Sequence, residues 1–138
     1  MWATTAANVP TPNDILFSEA RRKLGVFLPL VYRTDTGKPA IPRHHSRDFF
    51  IPALESDKHT VIIAPPGSAK TLTTMAACAS WIGRNPNTHL GYVTNTTFQA
   101  RQRSVAIRDI IQTPQYQAIF PHILPDKAKG WSEDDWFV

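Results

Sequence analysis

The stretch TVIIAPPGSAKT, residues 60–71, decides how the rest of the chain is read. Its first five residues, TVIIA, are a short apolar run rich in β-branched side chains, the pattern of a strand covered on both faces. A break bearing proline and glycine follows. The next segment, AKTLTTMAACASWIGR, reads as a helix halted by Asn85 and Pro86. Strand, break and helix together place a phosphate-binding loop over Ala64, Pro65, Pro66, Gly67, Ser68, Ala69, Lys70 and Thr71. The general pattern for such a loop is G-x-x-x-x-G-K-[ST] between a strand and a helix. Length, flanking context and the Lys-Thr pair fit that pattern, while alanines, Ala64 and Ala69, stand at both glycine positions.

The chemistry explains why these residue types belong there. A triphosphate carries several negative charges, and a strand-to-helix turn aims successive backbone N–H groups at one point, with the helix dipole adding to the attraction. Gly67 is free to take a positive φ and lets phosphate approach closely. Lys70 is the expected catalytic residue, reaching the β- and γ-phosphates of ATP as a point charge, and Thr71 is the expected ligand to Mg²⁺ through its hydroxyl. The competing reading is a plain helix N-terminus that happens to contain Lys-Thr. The strand pattern before the break, the length of the break and the long small-residue helix behind it favour the phosphate loop.

Working outward, HLGYVT (residues 89–94) is a second strand candidate, and a second long helix is expected over about residues 96–112. That helix carries Phe98, Val105, Ala106, Ile110 and Ile111 at roughly helical spacing, and Thr96 could cap it. Pro114 opens a further short helical turn, and the remainder reads as loop. Upstream, RDFFIPALES suggests a helix started or kinked by Pro52. The segment ILFSEARRKL is a helix with Asn13 or Asp14 as its cap and Gly25 as its stop, followed by an irregular, proline-bearing arm. The order strand, loop, helix, strand, helix predicts an α/β fold, a parallel sheet of the P-loop NTPase type flanked by helices. Residues 1–42 then form an N-terminal helix and arm, and residues 43–138 the N-terminal half of an ATPase domain.

Four segments resemble the large terminase subunit of tailed bacteriophages: HHSRDFFIPAL, TVIIAPPGSAKT, HLGYVTNTTFQARQRSVAIRDII and WSEDDWFV. The resemblance covers about two thirds of the chain, from His44 onward. It implies an ATPase that docks at a capsid portal and drives double-stranded DNA into a procapsid in the host cytoplasm. It further implies a small terminase subunit as partner, a homo-oligomeric ring, and a nuclease domain in the intact protein. That family tolerates alanine at the last loop glycine, the position of Ala69. Two positions depart from it. Pro66 stands where many members carry an arginine that aids hydrolysis, and Ser46 stands where a glutamine often precedes Arg-Asp in the adenine-contacting element.

Hydrolysis also needs an apolar strand ending in Asp-Glu, to hold Mg²⁺ and orient water. The group Glu133, Asp134 and Asp135 lacks that apolar run and reads as a solvated turn, so the chain is expected to end before the Walker B strand. Two rival readings stand beside the packaging motor. One is another nucleic-acid-dependent motor such as a helicase. The other is a non-catalytic truncated fragment that only interacts with motor partners.

Composition narrows the remaining classes. Fifteen Lys and Arg against 11 Asp and Glu give +4, which permits a nucleic-acid partner without demanding one. Arg101, Arg103 and Arg108 on the second long helix could face DNA phosphates or form a solvated face. Cys78 is the only cysteine and reads as buried filler, so no internal disulfide can form. His44, His45, His59, His89 and His122 lack metal-ligand spacing. Trp131, Trp136 and Phe137 read as core or interface anchors. No apolar run approaches the roughly 20 residues that span a bilayer, and MWATTAANVPTPND is no signal peptide.

Overall fold

The computed structural model describes residues 10–34, 36–87, 89–126, 132 and 136. Its elements are α1 (Pro12–Arg22), α2 (Leu24–Val31), a π-helical turn (Ser46–Phe50), α3 (Ile51–Leu54), α4 (Lys70–Arg84), α5 (Thr97–Gln112) and α6 (Pro114–Ile119).

The expected parallel sheet is absent: no strand occurs among the described residues, where Arg33 and Pro39 form an isolated antiparallel bridge. The α/β, P-loop NTPase-type reading of the fold is therefore corrected to a helical one. The segments behind that reading, residues 60–64 and 89–94, run outside any helix. They alternate in burial as strands would, with Ile62 and Ala64 half-buried between exposed Val61 and Ile63, and Leu90 and Tyr92 half-buried beside exposed Val93. A ladder, however, requires a neighbouring backbone about 4.8 Å away. Residues 60–64 form no backbone–backbone hydrogen bond among the described residues. Val61, Ile63 and Val93 stand 86, 93 and 92 % exposed, so the faces a sheet would cover are open. β-Branched composition favours an extended chain locally; it does not supply the partner.

Helix ends follow short-range rules. Thr11 caps α1 in a reciprocal box: its hydroxyl accepts from the Asp14 N–H at 3.2 Å, and the Asp14 carboxylate accepts from the Thr11 N–H at 2.8 Å. The cap is thus Thr11, with Asn13 and Asp14 already inside the helix. Gly25 does not stop the chain either; it lies within α2, which also contains Pro29. The reason is burial. Leu24, Phe27, Leu28 and Val31 are all buried on one stripe of α2. Each contributes about 1.5–3 kcal/mol, which outweighs about 1 kcal/mol for an internal glycine and about 3 for a proline.

α4 is the central element, with Thr73, Met75 to Gly83 apart from Trp81 buried, and with α2, α5, α1 and α3 packed around it. Its small residues permit that crowding. At Gly83 an added Cβ would lie 2.5–2.6 Å from the Phe120 ring. Phe27, Tyr116 and Phe120 form an aromatic cluster with centroids 5.2–6.0 Å apart, and the Tyr116 hydroxyl donates to the Ala79 carbonyl at 3.0 Å. Thr96 caps α5, and Thr113 ends α5 and caps α6. Within α5, Ile107, Ile110 and Ile111 are buried, whereas Phe98 is exposed. The Glu55 carboxylate joins three elements, accepting from the Leu24 N–H at 2.7 Å and pairing with Arg84 at 3.3 Å.

Candidate functional site

The break between residue 64 and α4 is shaped by two left-handed residues, Gly67 at φ +77° and Ala69 at φ +59°. Glycine adopts such a conformation freely, but an alanine there costs about 1–2 kcal/mol. Ala69 is the one non-glycine residue with positive φ among the described residues, and it immediately precedes the first residue of α4. Strain of this kind concentrates at ligand-binding turns. A Ser68 N–H to Pro65 carbonyl bond of 3.4 Å closes the turn. The first intrahelical acceptor is the Ala69 carbonyl, which takes the Thr73 N–H at 2.9 Å. The N–H groups of Lys70, Thr71 and Leu72 therefore have no backbone partner among the described residues, at the positive end of a 15-residue helix.

The side chains expected in this loop lie together. Lys70 folds back over the turn and its Nζ donates to the Pro65 carbonyl at 3.2 Å. The Thr71 hydroxyl makes no hydrogen bond among the described residues, unlike Thr73 and Thr74, whose hydroxyls donate back to the Ala69 and Lys70 carbonyls at 2.9 and 2.8 Å. The Ser68 hydroxyl is buried and without a partner. Lys70, Thr71 and the free N–H groups are thus available to an anion and its counter-cation. No group of three or more His, Cys, Asp or Glu side chains that could hold a metal occurs among the described residues. Asp48 is paired with Arg47 at 2.7 Å, which also holds its carboxyl below the ordinary range.

Against the loop lies a cavity of about 690 Å³ lined on one side by Pro65, Pro66, Gly67 and Ser68 and on the other by Phe49, Phe50 and Ala53. Val61 to Ala64 form its floor. The π turn explains how two adjacent phenylalanines come to be there. The Ile51 N–H reaches back five residues to the Ser46 carbonyl, and the next residue, Pro52, has no N–H to give. The widened turn leaves Phe50 buried and Phe49 66 % exposed at the rim. His45, at the start of the turn, donates from Nε2 to the Ser68 carbonyl at 3.0 Å and ties this wall to the loop. A smaller cavity of about 220 Å³, lined by Ile62, Lys70, Thr71, Thr74 and Tyr92 among others, separates the two extended segments.

His45 and Phe49 are residues that spacing rules did not single out; their signal was the aromatic and histidine-rich run HHSRDFF just ahead of a proline. Other candidates are placed apart from the loop. Arg108 donates to the Ser132 carbonyl at 3.0 Å, and Arg101 is exposed. Arg103 lies near Tyr92, whose phenol is pushed up by burial and pulled the other way by that charge. Cys78 is buried, and burial raises its thiol to about 11, consistent with an inert filler. The Trp136 indole N–H donates to the Ser104 hydroxyl at 2.8 Å, an anchoring role. Trp131, Glu133, Asp134, Asp135 and Phe137 lie outside the described residues. No helix among the described residues is long and apolar enough to cross a membrane. Comparison with protein-family models, with curated proteins and with solved structures gave no match.

Proposed function

We propose that this chain is the ATP-binding portion of a viral DNA-packaging motor of the large-terminase type. The observation that carries the reading is the left-handed pair Gly67 and Ala69 ahead of Lys70 and Thr71, which leaves three N–H groups, an ammonium and a free hydroxyl at one helix N-terminus. An alanine held at φ +59° is difficult to explain by packing, since Ala69 is exposed. It is explained by a turn that must wrap a phosphate.

In this reading the N–H groups of Lys70, Thr71 and Leu72 bind the phosphate oxygens. The Lys70 ammonium exchanges the Pro65 carbonyl for the β- and γ-phosphates, and the Thr71 hydroxyl takes one coordination position on Mg²⁺. The motor role, with double-stranded DNA as cargo and a portal, a small subunit and further copies of the chain as partners, rests on the resemblance of the four quoted segments. Hydrolysis by the described residues alone would be slow, because among them no carboxylate lines the cavity at Thr71 to orient water or complete the metal shell. A nucleotide-binding piece with little turnover of its own is the second reading, and that same observation favours it.

Thermal unfolding with and without MgATP, beside Lys70→Ala, tests the proposal. Ligand at 100 times its dissociation constant stabilises by about 2.7 kcal/mol, several degrees in Tm for a domain of this size. The expected outcome is a shift in the wild type that is lost in the variant. A cooperative transition that MgATP leaves in place for the wild type would refute nucleotide binding.

A further inference from the structure

We infer that His45 is a positioning residue of the phosphate loop: acting through the Ser68 carbonyl, it holds the Ser68–Ala69 peptide in the orientation that turns the Ala69 N–H toward bound phosphate. This rests on reading residues 64–71 as a phosphate loop. That loop is short of donors. Pro65 and Pro66 carry no N–H, and the Ser68 N–H is engaged by the Pro65 carbonyl at 3.4 Å. Between residue 64 and α4 the N–H groups of Gly67 and Ala69 are left, and neither has a backbone partner among the described residues. The Ala69 N–H directly precedes those of Lys70 and Thr71, so its direction decides whether three successive donors converge on one anion.

A peptide unit is planar, with its C=O and N–H on opposite sides. Whatever fixes the Ser68 carbonyl therefore fixes the Ala69 N–H. His45 does so from the π turn, with Nε2 3.0 Å from that carbonyl. A carbonyl can only accept, so Nε2 carries the hydrogen. The imidazole is held in its turn, meeting the buried Phe50 ring edge-on at 5.6 Å and the His44 ring at 5.5 Å.

The tether also has a force to oppose. Ala69 sits at φ +59°, a region that alanine disfavours. Flipping the Ser68–Ala69 peptide would return Ala69 to negative φ. It would also swing the Ser68 carbonyl toward the phosphates and the N–H away from them. Gly67, left-handed at φ +77°, has no Cβ and needs no such restraint. The strain thus sits at Ala69, and the hydrogen bond from His45 reaches the carbonyl immediately before it.

Magnesium with inorganic triphosphate is the probe, since it has no base or ribose to occupy the neighbouring cavity. It is titrated calorimetrically into the chain and into His45→Phe and His45→Gln. Phenylalanine keeps a ring against Phe50 and removes the donor, while glutamine sets an amide N–H at a reach similar to that of Nε2. His45→Phe should bind about tenfold more weakly, the order of one lost hydrogen bond, and His45→Gln should recover most of that loss. In amide NMR spectra the Ala69 resonance should move on adding triphosphate in the wild type and in His45→Gln, and stay in place in His45→Phe. A His45→Phe affinity within about twofold of the wild type would overturn the inference and leave the phosphate loop standing. Glutamine binding no better than phenylalanine would overturn it as well. Loss of cooperative unfolding in His45→Phe would make His45 a residue of the fold instead, with the same consequence. Failure of the wild type to bind triphosphate would remove the loop reading and the inference together.

Discussion

The helical block and the extended segments both carry runs of apolar residues, yet those residues ended in opposite states. In the block, α4 is buried along most of its length beneath α1, α2, α3 and α5, and Tyr116, Phe27 and Phe120 are essentially inaccessible. In the segments 60–64 and 89–94, Val61, Ile63 and Val93 are nearly as exposed as side chains can be. The difference lies in where backbone hydrogen bonds are found. A helix meets its own needs within four residues, so packing of one stripe is enough to fix it. An extended segment meets them only through another segment, and residues 60–64 form no such bond among the described ones. The candidate site sits on the seam between these regions, with α4 fixing Lys70 and Thr71 while the extended run forms the cavity floor.

Gly83→Ala tests the tightness of the block and carries the largest effect. In an ordinary exposed helix the change would add about 1 kcal/mol of stability. Here the new Cβ meets the Phe120 ring at 2.5–2.6 Å, so a loss of about 1–3 kcal/mol is expected in urea unfolding. A gain in stability would show that α4 and Phe120 are not in contact as described.

The contrast also marks what the sequence could reveal. Capping and breaking chemistry is local, and it placed α4 ending at Asn85, α5 starting after Thr96, and α6 starting at Pro114 close to where they lie. The helix-breaking residues of α2 misled in the other direction: Gly25 and Pro29 read as a stop and an arm, because the burial that overrides them is tertiary. The strand signals in TVIIA and HLGYVT were right about extension and wrong about the sheet, since composition favours an extended chain in each segment but does not pair the two. For the site, the spacing from Ala64 to Thr71 placed Lys70 and Thr71 at a helix start, and they are the first two residues of α4. Nothing in that spacing announced His45 reaching Ser68, a contact made 23 positions away in sequence.

Ala69→Gly probes the seam itself. Glycine removes a left-handed penalty of about 1–2 kcal/mol, and greater freedom of the unfolded chain takes back about 0.5–1. A net gain of about 0.5–1 kcal/mol is expected by the same urea measurement, with nucleotide affinity retained. A loss of stability would mean that Ala69 does not hold the positive φ seen here.

Ile63→Thr carries the smallest effect and bears most directly on the comparison. In a strand paired on both sides, an isoleucine facing a neighbouring layer is a core residue, and exchanging it for threonine removes apolar burial and adds a hydroxyl to satisfy, a loss of about 1–3 kcal/mol. At 93 % exposure no such burial exists to lose. Threonine keeps the β-branching that favours extended backbone, so the local conformation is preserved. The change should therefore fall within about 0.5 kcal/mol of the parent in urea unfolding. The slope of the transition should also stay the same, because the surface exposed on unfolding hardly alters. A loss above 1 kcal/mol would place Ile63 against another surface in solution, and the extended segment would then have found a partner that the isolated chain does not display.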